Sequence, residues 1–207
     1  MKPITQEHVR MIEELHSKYC VNAGKVQAIE LDPEDKITLG GADFTVFKKD
    51  NDGNAHILLD DILCKMAFGE NDNNYKNSKI KPHLRTCELT QNIIDEIGVD
   101  GLVPTELDLW SHDGLRDYGV DSGDLSGLLT YDMYRENREN ISLLDCWWWL
   151  CTPDSTASGW SSNLVRCVDS DGYVFYNDYR DDYGGVRPFY ILKNKSDIFV
   201  SKKNQKI

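Results

Sequence analysis

Long apolar runs are what this 207-residue chain most plainly lacks. None approaches the ~18 residues of a membrane span. The start, Met1-Lys2-Pro3-Ile4-Thr5, has no apolar stretch of the signal-peptide kind. The six cysteines (Cys20, Cys64, Cys87, Cys146, Cys151, Cys167) form no CxxC pair, so free buried thiols are expected rather than disulfides. The histidines, His8, His16, His56, His83 and His112, lie far apart in sequence, and none follows His112, so a metal site is not expected. G-x-S-x-G, P-loop and dinucleotide fingerprints are all missing. Basic charge is short as well: 23 Lys and Arg stand against 35 Asp and Glu, a net charge of -12. That balance argues against a partner that presents a phosphate backbone or an anionic membrane. From these absences the chain is expected to be cytoplasmic on synthesis, with no signal peptide, no cofactor and no membrane insertion.

One shortage is local. From Thr152 through Tyr183 there is no Lys, Glu, Gln or Met, although those four types supply 34 of the 207 residues. What fills the segment is Ser, Asp, Asn, Tyr, Gly and Arg. Tyrosine offers a large rigid area and a hydroxyl with few rotors to freeze, while Asp, Asn and Ser add adaptable hydrogen bonds; the mixture resembles an antibody paratope. Rigid apolar elements bracket it: Trp147-Trp148-Trp149-Leu150 with Thr152-Pro153 before, and Gly185-Val186-Arg187-Pro188-Phe189 after. Loops and strands also disfavour Glu, Lys and Met, so turn-rich surface is the plainer reading.

Hydrophobic spacing places the other elements. Thr5 reads as the cap of a helix with Val9, Ile12 and Leu15 on one stripe to about Cys20. Lys25 to Leu31 reads as a strand. Phe44–Lys49 and His56–Leu59 read as a hairpin around Asn51-Asp52-Gly53-Asn54, whose Asp/Asn cluster is a turn and not a calcium loop, since the bidentate Glu is missing. Ser78–Leu84 is a helical turn, Thr90 caps a helix over Gln91–Ile97 stopped by Gly98, and Thr130 caps one to about Asn137. Strands follow at Trp147–Leu150, Leu164–Val168, Tyr173–Tyr176 and Val186–Leu192. Helices followed by many short strands indicate an α+β domain.

Strand alternation puts Trp147 and Trp149 on one face and Trp148 on the other. It sends Val174 to the core with Tyr176 and leaves Tyr173 and Phe175 outward; Val165 and Cys167 can pack inward with Arg166 outward, but Leu164 and Val168 share Arg166's parity and leave that facing open. Arg187 reads as a structural ion-pair or carbonyl-binding residue.

Several pieces in order carry a resemblance: Asp43-Phe44-Thr45-Val46-Phe47, Tyr75-Lys76-Asn77-Ser78, Leu107-Asp108-Leu109-Trp110, Asp113-Gly114-Leu115-Arg116-Asp117-Tyr118-Gly119, Leu128-Leu129-Thr130 with Tyr134-Arg135, then the Trp run and Gly185-Val186-Arg187-Pro188. The chain resembles a family of bacterial and phage proteins whose C-terminus reads WWLRSP then GVRP, although Cys151-Thr152-Pro153 stands where many members have Arg-Ser-Pro. That family is similar to the C-type-lectin-like fold of formylglycine-generating enzymes and of variable proteins of diversity-generating retroelements. The resemblance implies a C-type-lectin-like domain over residues 42–195 with a ligand-binding segment at 147–190. Residues 1–41 would pack on or extend it, and 196–207 would form a tail. Adenine-directed mutagenesis of AAC-type codons reaches Asn, Asp, Tyr, Ser, Gly and Arg but not Lys, Glu, Gln, Met or Trp, so the segment fits that alphabet apart from Trp160.

The candidate ligand-binding residues are Trp160, Ser161, Asn163, Arg166, Tyr173, Phe175, Asn177, Asp178, Tyr179, Arg180, Asp182 and Tyr183. The expected partner is a protein or glycan on a host or target surface, with no nucleic acid and no covalent chemistry, and the expected setting is a phage or prophage. Two alternatives stand beside it. One is a formylglycine-generating-type enzyme using Cys146, Cys151 and Cys167. The other is a structural component of a particle, oligomerising through the first helix.

Overall fold

Short alternating segments punctuated by turn residues become fourteen strands in the computed structural model, which describes residues 23–201. In chain order they are β1 (Ala23–Gln27), β2 (Lys36–Leu39), β3 (Ala42–Lys49), β4 (Ala55–Leu59), β5 (Cys64–Lys65), β6 (Glu106–Asp108), β7 (Val120–Ser122), β8 (Ser126–Gly127), β9 (Trp148–Pro153), β10 (Leu164–Val168), β11 (Val174–Asp178), β12 (Gly185–Val186), β13 (Phe189–Leu192) and β14 (Asp197–Ser201). The α-helices among the described residues are α1 (Ile80–Thr86), α2 (Glu88–Ile97) and α3 (Tyr131–Glu136). The domain is α+β. None of its described helices is long and apolar enough to cross a membrane. The helix expected over residues 5–20 and the basic tail from Lys202 lie outside the described residues.

Two five-stranded sheets carry the fold, ordered β2-β3-β4-β13-β8 and β11-β10-β9-β12-β5, with two-stranded ribbons β1-β14 and β6-β7 beside them. The β3–β4 hairpin forms as expected. Its turn is held by the Asp50 carboxylate, which accepts from the backbone N–H groups of Asp52 at 2.9 Å and Asn54 at 2.8 Å. Two expected boundaries move. β2 pairs with β3 from Lys36↔Thr45 to Leu39↔Ala42, so a division between residues 41 and 42 would cut a hairpin. β14 pairs with β1 and buries Ile198, so the stretch from Asp197 to Ser201 is sheet and not tail. The strand expected over Lys25–Leu31 gives way after Gln27 to a 3-10 turn, Ala28–Glu30.

Of the three cap and stop signals among the described residues, two match the structure. The Thr130 side chain accepts from the N–H of Met133 at 3.1 Å and caps α3, and Gly98, at φ 75°, ends α2 where a side chain would be strained. Thr90 caps nothing. α2 begins at Glu88 after extended Cys87, and Thr90 is buried, its hydroxyl donating to the Leu84 carbonyl at 2.7 Å and lying 2.8 Å from the Tyr190 hydroxyl.

The sheets bury two clusters. Phe44, Val46, Ile57, Tyr190 and Ile93 of α2 form one. Trp148, Trp149, Phe68, Tyr75 and Phe189 anchor the other. The Trp run divides as alternation requires: Trp147 and Trp149 meet edge to face at 4.8 Å, and Trp148 turns to the opposite side against Tyr134 at 5.7 Å. Trp148 and Trp149 are fully buried and Trp147 half-buried.

His56 sits in the core stacked on Phe189 at 6.5 Å, with its Nε2 3.6 Å from an Asp50 carboxylate oxygen. Burial first, and Lys48 second, push its pKa below the usual imidazole value of 6.5 against the pull of Asp50. The unfolded chain therefore takes up the proton more readily. Stability conferred by neutral His56 is complete above pH ~6.5 and falls as the pH drops from there toward the lower folded-state value. Urea midpoints at pH 7.5 and 5.5 are expected to lie closer together in His56→Gln than in the natural chain; an unchanged gap would show that the titration belongs to other groups.

Candidate functional site

β9 and β12 lie side by side, with Gly185 opposite Trp148 in a parallel pairing. The polar segment leaves the sheet from one of these strands and returns to the other. Its two ends are therefore tied to a common buried base, and the intervening chain is an excursion built on the β10–β11 hairpin at the sheet edge. The base is tight: a Cβ on Gly184 would lie 2.0 Å from the Trp149 indole nitrogen, so only glycine fits where the chain returns. Arg187, next to this base, is 1% exposed. It donates from Nε to the Leu59 carbonyl at 2.7 Å, and from its terminal nitrogens to the Ser142 carbonyl and hydroxyl, each at 2.9 Å. Its guanidinium also lies 5.1 Å from the Trp148 ring centre. Burial brings its pKa down to about 10, which leaves it charged at neutral pH. It is the carbonyl-binding structural residue expected.

The loop from Asp154 to Asn163 is pinned from below by Asn73, which is fully buried. Its side-chain amide donates to the carbonyls of Ser155 at 2.9 Å and Leu164 at 2.8 Å, and its oxygen accepts from the Tyr118 hydroxyl at 2.7 Å. Thr156 is likewise buried and donates to the Asp117 carboxylate at 2.5 Å. Trp160, 63% exposed, stands out from this clamped loop. Asn163 is exposed, and Ser161 is half-buried with its hydroxyl accepting from the Asn163 N–H at 3.2 Å.

Small local rings of hydrogen bonds set the rest of the excursion. The Asp169 carboxylate accepts from the N–H groups of Asp171 at 3.0 Å and Tyr173 at 2.8 Å. The Asn177 amide donates to Asp181 at 2.9 Å. Arg180 donates to both oxygens of Asp178, at 2.7 and 2.6 Å, and holds that carboxyl below its ordinary pKa. Tyr173 and Tyr183 take no part through their side chains and are 68% and 70% exposed. Arg180 and Asp182 are exposed too.

Three of the expected contact residues are placed differently. Tyr179 is 7% exposed and belongs to the core; its backbone bonds Asn163 and Gly69, and Arg180 covers its ring at 5.3 Å. Phe175 is half-buried and packs on Trp147 at 5.9 Å. Arg166 does not reach freely outward: it forms an ion pair with buried Asp154 and lies 5.6 Å from the Tyr176 ring. Tyr176, expected inside, is 51% exposed.

The exchange of Phe175 and Tyr176 goes with the length of the turn, which the Asp169 N–H also closes on the Tyr173 carbonyl at 3.0 Å. A turn limited to Asp169–Gly172 would set Phe175 opposite Arg166. The Asp169 carboxylate draws the Tyr173 N–H into the turn as well, and the pairing becomes Cys167↔Phe175 and Arg166↔Tyr176. A one-residue slip reverses every face of a strand.

Tyr176 therefore begins a polar-aromatic row that sequence reasoning missed. It runs through Arg166 and Asp154 to His112, whose N–H bonds the Pro153 carbonyl at 2.8 Å, and on to Tyr131, whose ring meets His112 at 4.9 Å. Asp108-Leu109-Trp110 was legible only as a piece of the resemblance, and Thr130 only as a cap. Nothing in their spacing brings them to this face.

Cys151 and Cys167 are buried, and burial raises both thiols well above their ordinary pKa, so neither is a thiolate at neutral pH. No group of three or more His, Cys, Asp or Glu side chains among the described residues is placed to hold a metal ion. Comparison of the chain with protein-family models, with curated proteins and with solved structures returned no match.

Proposed function

We propose that this protein is a binding module whose β10–β11 edge, with the loops before and after it, recognises a protein or glycan on a target surface. The observation that carries the reading is the separation of scaffold from display. Asx-type turns, the Asp178–Arg180 pair and the Asn73 clamp hold the backbone, while Trp160, Tyr173, Tyr176 and Tyr183 hold none of it through their side chains and remain mostly exposed. Exposed aromatics on a backbone fixed by other groups can change identity with little cost to the fold. That is what a surface selected for varied recognition requires, and it suits diversification by a retroelement on a C-type-lectin-like scaffold. Affinity would come from a few aromatic anchors ringed by Asn163, Arg180 and Asp182, with no covalent step. An adenine-rich template repeat beside the coding region would mark active diversification, and a neighbourhood without one would remove that part of the proposal.

The direct test is the triple replacement of Tyr173, Tyr176 and Tyr183 with Ser. Each site is exposed, so the circular dichroism spectrum is expected to be unchanged and stability to move by only about 0.5 kcal/mol per site. Binding to a partner identified on a glycan array or by display selection is expected to weaken by at least ~30-fold, the size of one hot-spot loss. Retained affinity in a folded variant would place recognition elsewhere.

A further inference from the structure

A cavity of about 470 Å³ opens between β6, the loop from Trp110 to Gly114 and the first turn of α3, a size within the ordinary range of small-ligand sites. β6 contributes Glu106 and Asp108, both exposed on either side of buried Leu107, and neither carboxylate has an ion pair or side-chain hydrogen bond among the described residues. Trp110, 38% exposed, and Tyr131 supply aromatic walls. Both rings already receive a guanidinium from this chain: Arg116 lies 3.5 Å from the centre of Trp110, and Arg135 lies 5.6 Å from the centre of Tyr131. Arg135 is in turn paired with Asp132 at 3.1 Å, so its charge is balanced within the cavity wall. Glu106 and Asp108 form no ion pair among the described residues; with Asp132 they set three carboxylates against the two guanidiniums of Arg116 and Arg135, and the chain as a whole carries a charge of -12.

We infer that this cavity binds an organic cation, an ammonium or guanidinium group whose apolar body lies along Trp110 and Tyr131 and whose charge faces Glu106 and Asp108. Aromatic faces attract such cations through the ring quadrupole, and the two walls are shown to accept guanidinium by the arginines lying on them. The carboxylates supply the charge that the rings alone do not. The cavity adjoins the recognition loops: Gly159 approaches Leu115, Thr156 bonds Asp117, and Tyr131 donates its N–H to the Thr152 hydroxyl at 2.8 Å. On the binding-module reading, on which this inference rests for its biological setting, the cavity is a subsite beside the exposed recognition surface. Its cation comes either from a free amine or from a basic side chain of the bound partner.

The test is a titration of the full chain followed by ¹H–¹⁵N correlation spectra, with agmatine as the free cation and blocked arginine (Nα-acetyl-arginine amide) as the side-chain probe. Saturable shifts are expected at the Trp110 indole and at the amides of His112, Tyr131 and Thr152. The exposed double variant E106Q/D108N is expected to bind both probes about fivefold more weakly or worse, since an exposed charge pair carries a modest share of affinity. Tighter binding of blocked arginine would assign the cation to a partner's side chain, and tighter binding of agmatine to a free amine; either supports the site. No saturable shift at this cavity, undiminished binding by the double variant, or equal shifts with uncharged glucose would each overturn it. The titration needs no knowledge of the partner. A flat result removes this site and leaves the recognition surface to be judged by the tyrosine variant, which is expected to bind both cations normally.

Discussion

Arg187→Ala is expected to lower the unfolding free energy by about 3–5 kcal/mol, the sum expected for buried acceptors left without their donor and for the void left by a large side chain. The loss has several parts. The Leu59 carbonyl and the Ser142 carbonyl and hydroxyl lose their donor, and Trp148 loses the guanidinium beside it. A void also opens where a large, fully buried side chain stood. Arg187→Lys keeps the charge but cannot reproduce three donors in a planar fork, so it is expected to recover only part of the loss. Urea unfolding followed by tryptophan fluorescence measures both, since Trp148 and Trp149 lie in the affected core. A loss below about 1 kcal/mol for the alanine variant, the level of an ordinary substitution, would show that the network is dispensable.

Asn73→Ala is expected to cost about 2–4 kcal/mol and to act on the candidate surface as well as on stability. The amide is fully buried and serves three partners. Leu164 O still accepts from the Asp154 N–H at 2.9 Å, but the Ser155 carbonyl and the Tyr118 hydroxyl lose the Asn73 partner. Buried polar groups without partners bear their full desolvation penalty. Because the clamp joins both ends of the loop that carries Trp160, hydrogen exchange at the amides of residues 155–163 is expected to accelerate more than exchange in β3 and β4. Asn73→Asp should be at least as damaging, since a carboxylate would face two carbonyl oxygens where the amide donated. Uniform acceleration across the domain would mean that Asn73 supports the fold globally and has no special hold on the loop.

Much of this protein was legible where the determinant is local. The α+β composition follows from the helical spacing near residues 78–97 and 130–137 and from the short alternating runs on either side of them. Gly98 ends α2 because the position needs a left-handed backbone. Thr130 caps α3 because its side chain reaches an N–H three residues on. The opposite facing of Trp148 from Trp147 and Trp149 follows from the pleat of any strand, and Arg187 is read as structural from its place between the Trp-bearing core and a proline.

What failed was the part that depends on phase and on distant partners. Alternation in β11 says that Phe175 and Tyr176 face opposite ways; which of them faces out goes with the length of the turn, which takes in one more residue through Asp169. Tyr179 looks like its exposed neighbours in composition, yet backbone bonds to Asn163 and Gly69 draw it inside. Thr90 has the residue type of a cap and is instead held by Leu84 and Tyr190. The cavity beside Trp110 gathers β6, α3 and β9, which no sequence spacing joins. Periodicity and capping are properties of a few consecutive residues, so the sequence determined them alone. Register, burial of a single tyrosine and the meeting of remote loops are set by which hydrogen-bond partners and packing surfaces lie opposite, and only the tertiary structure supplies those.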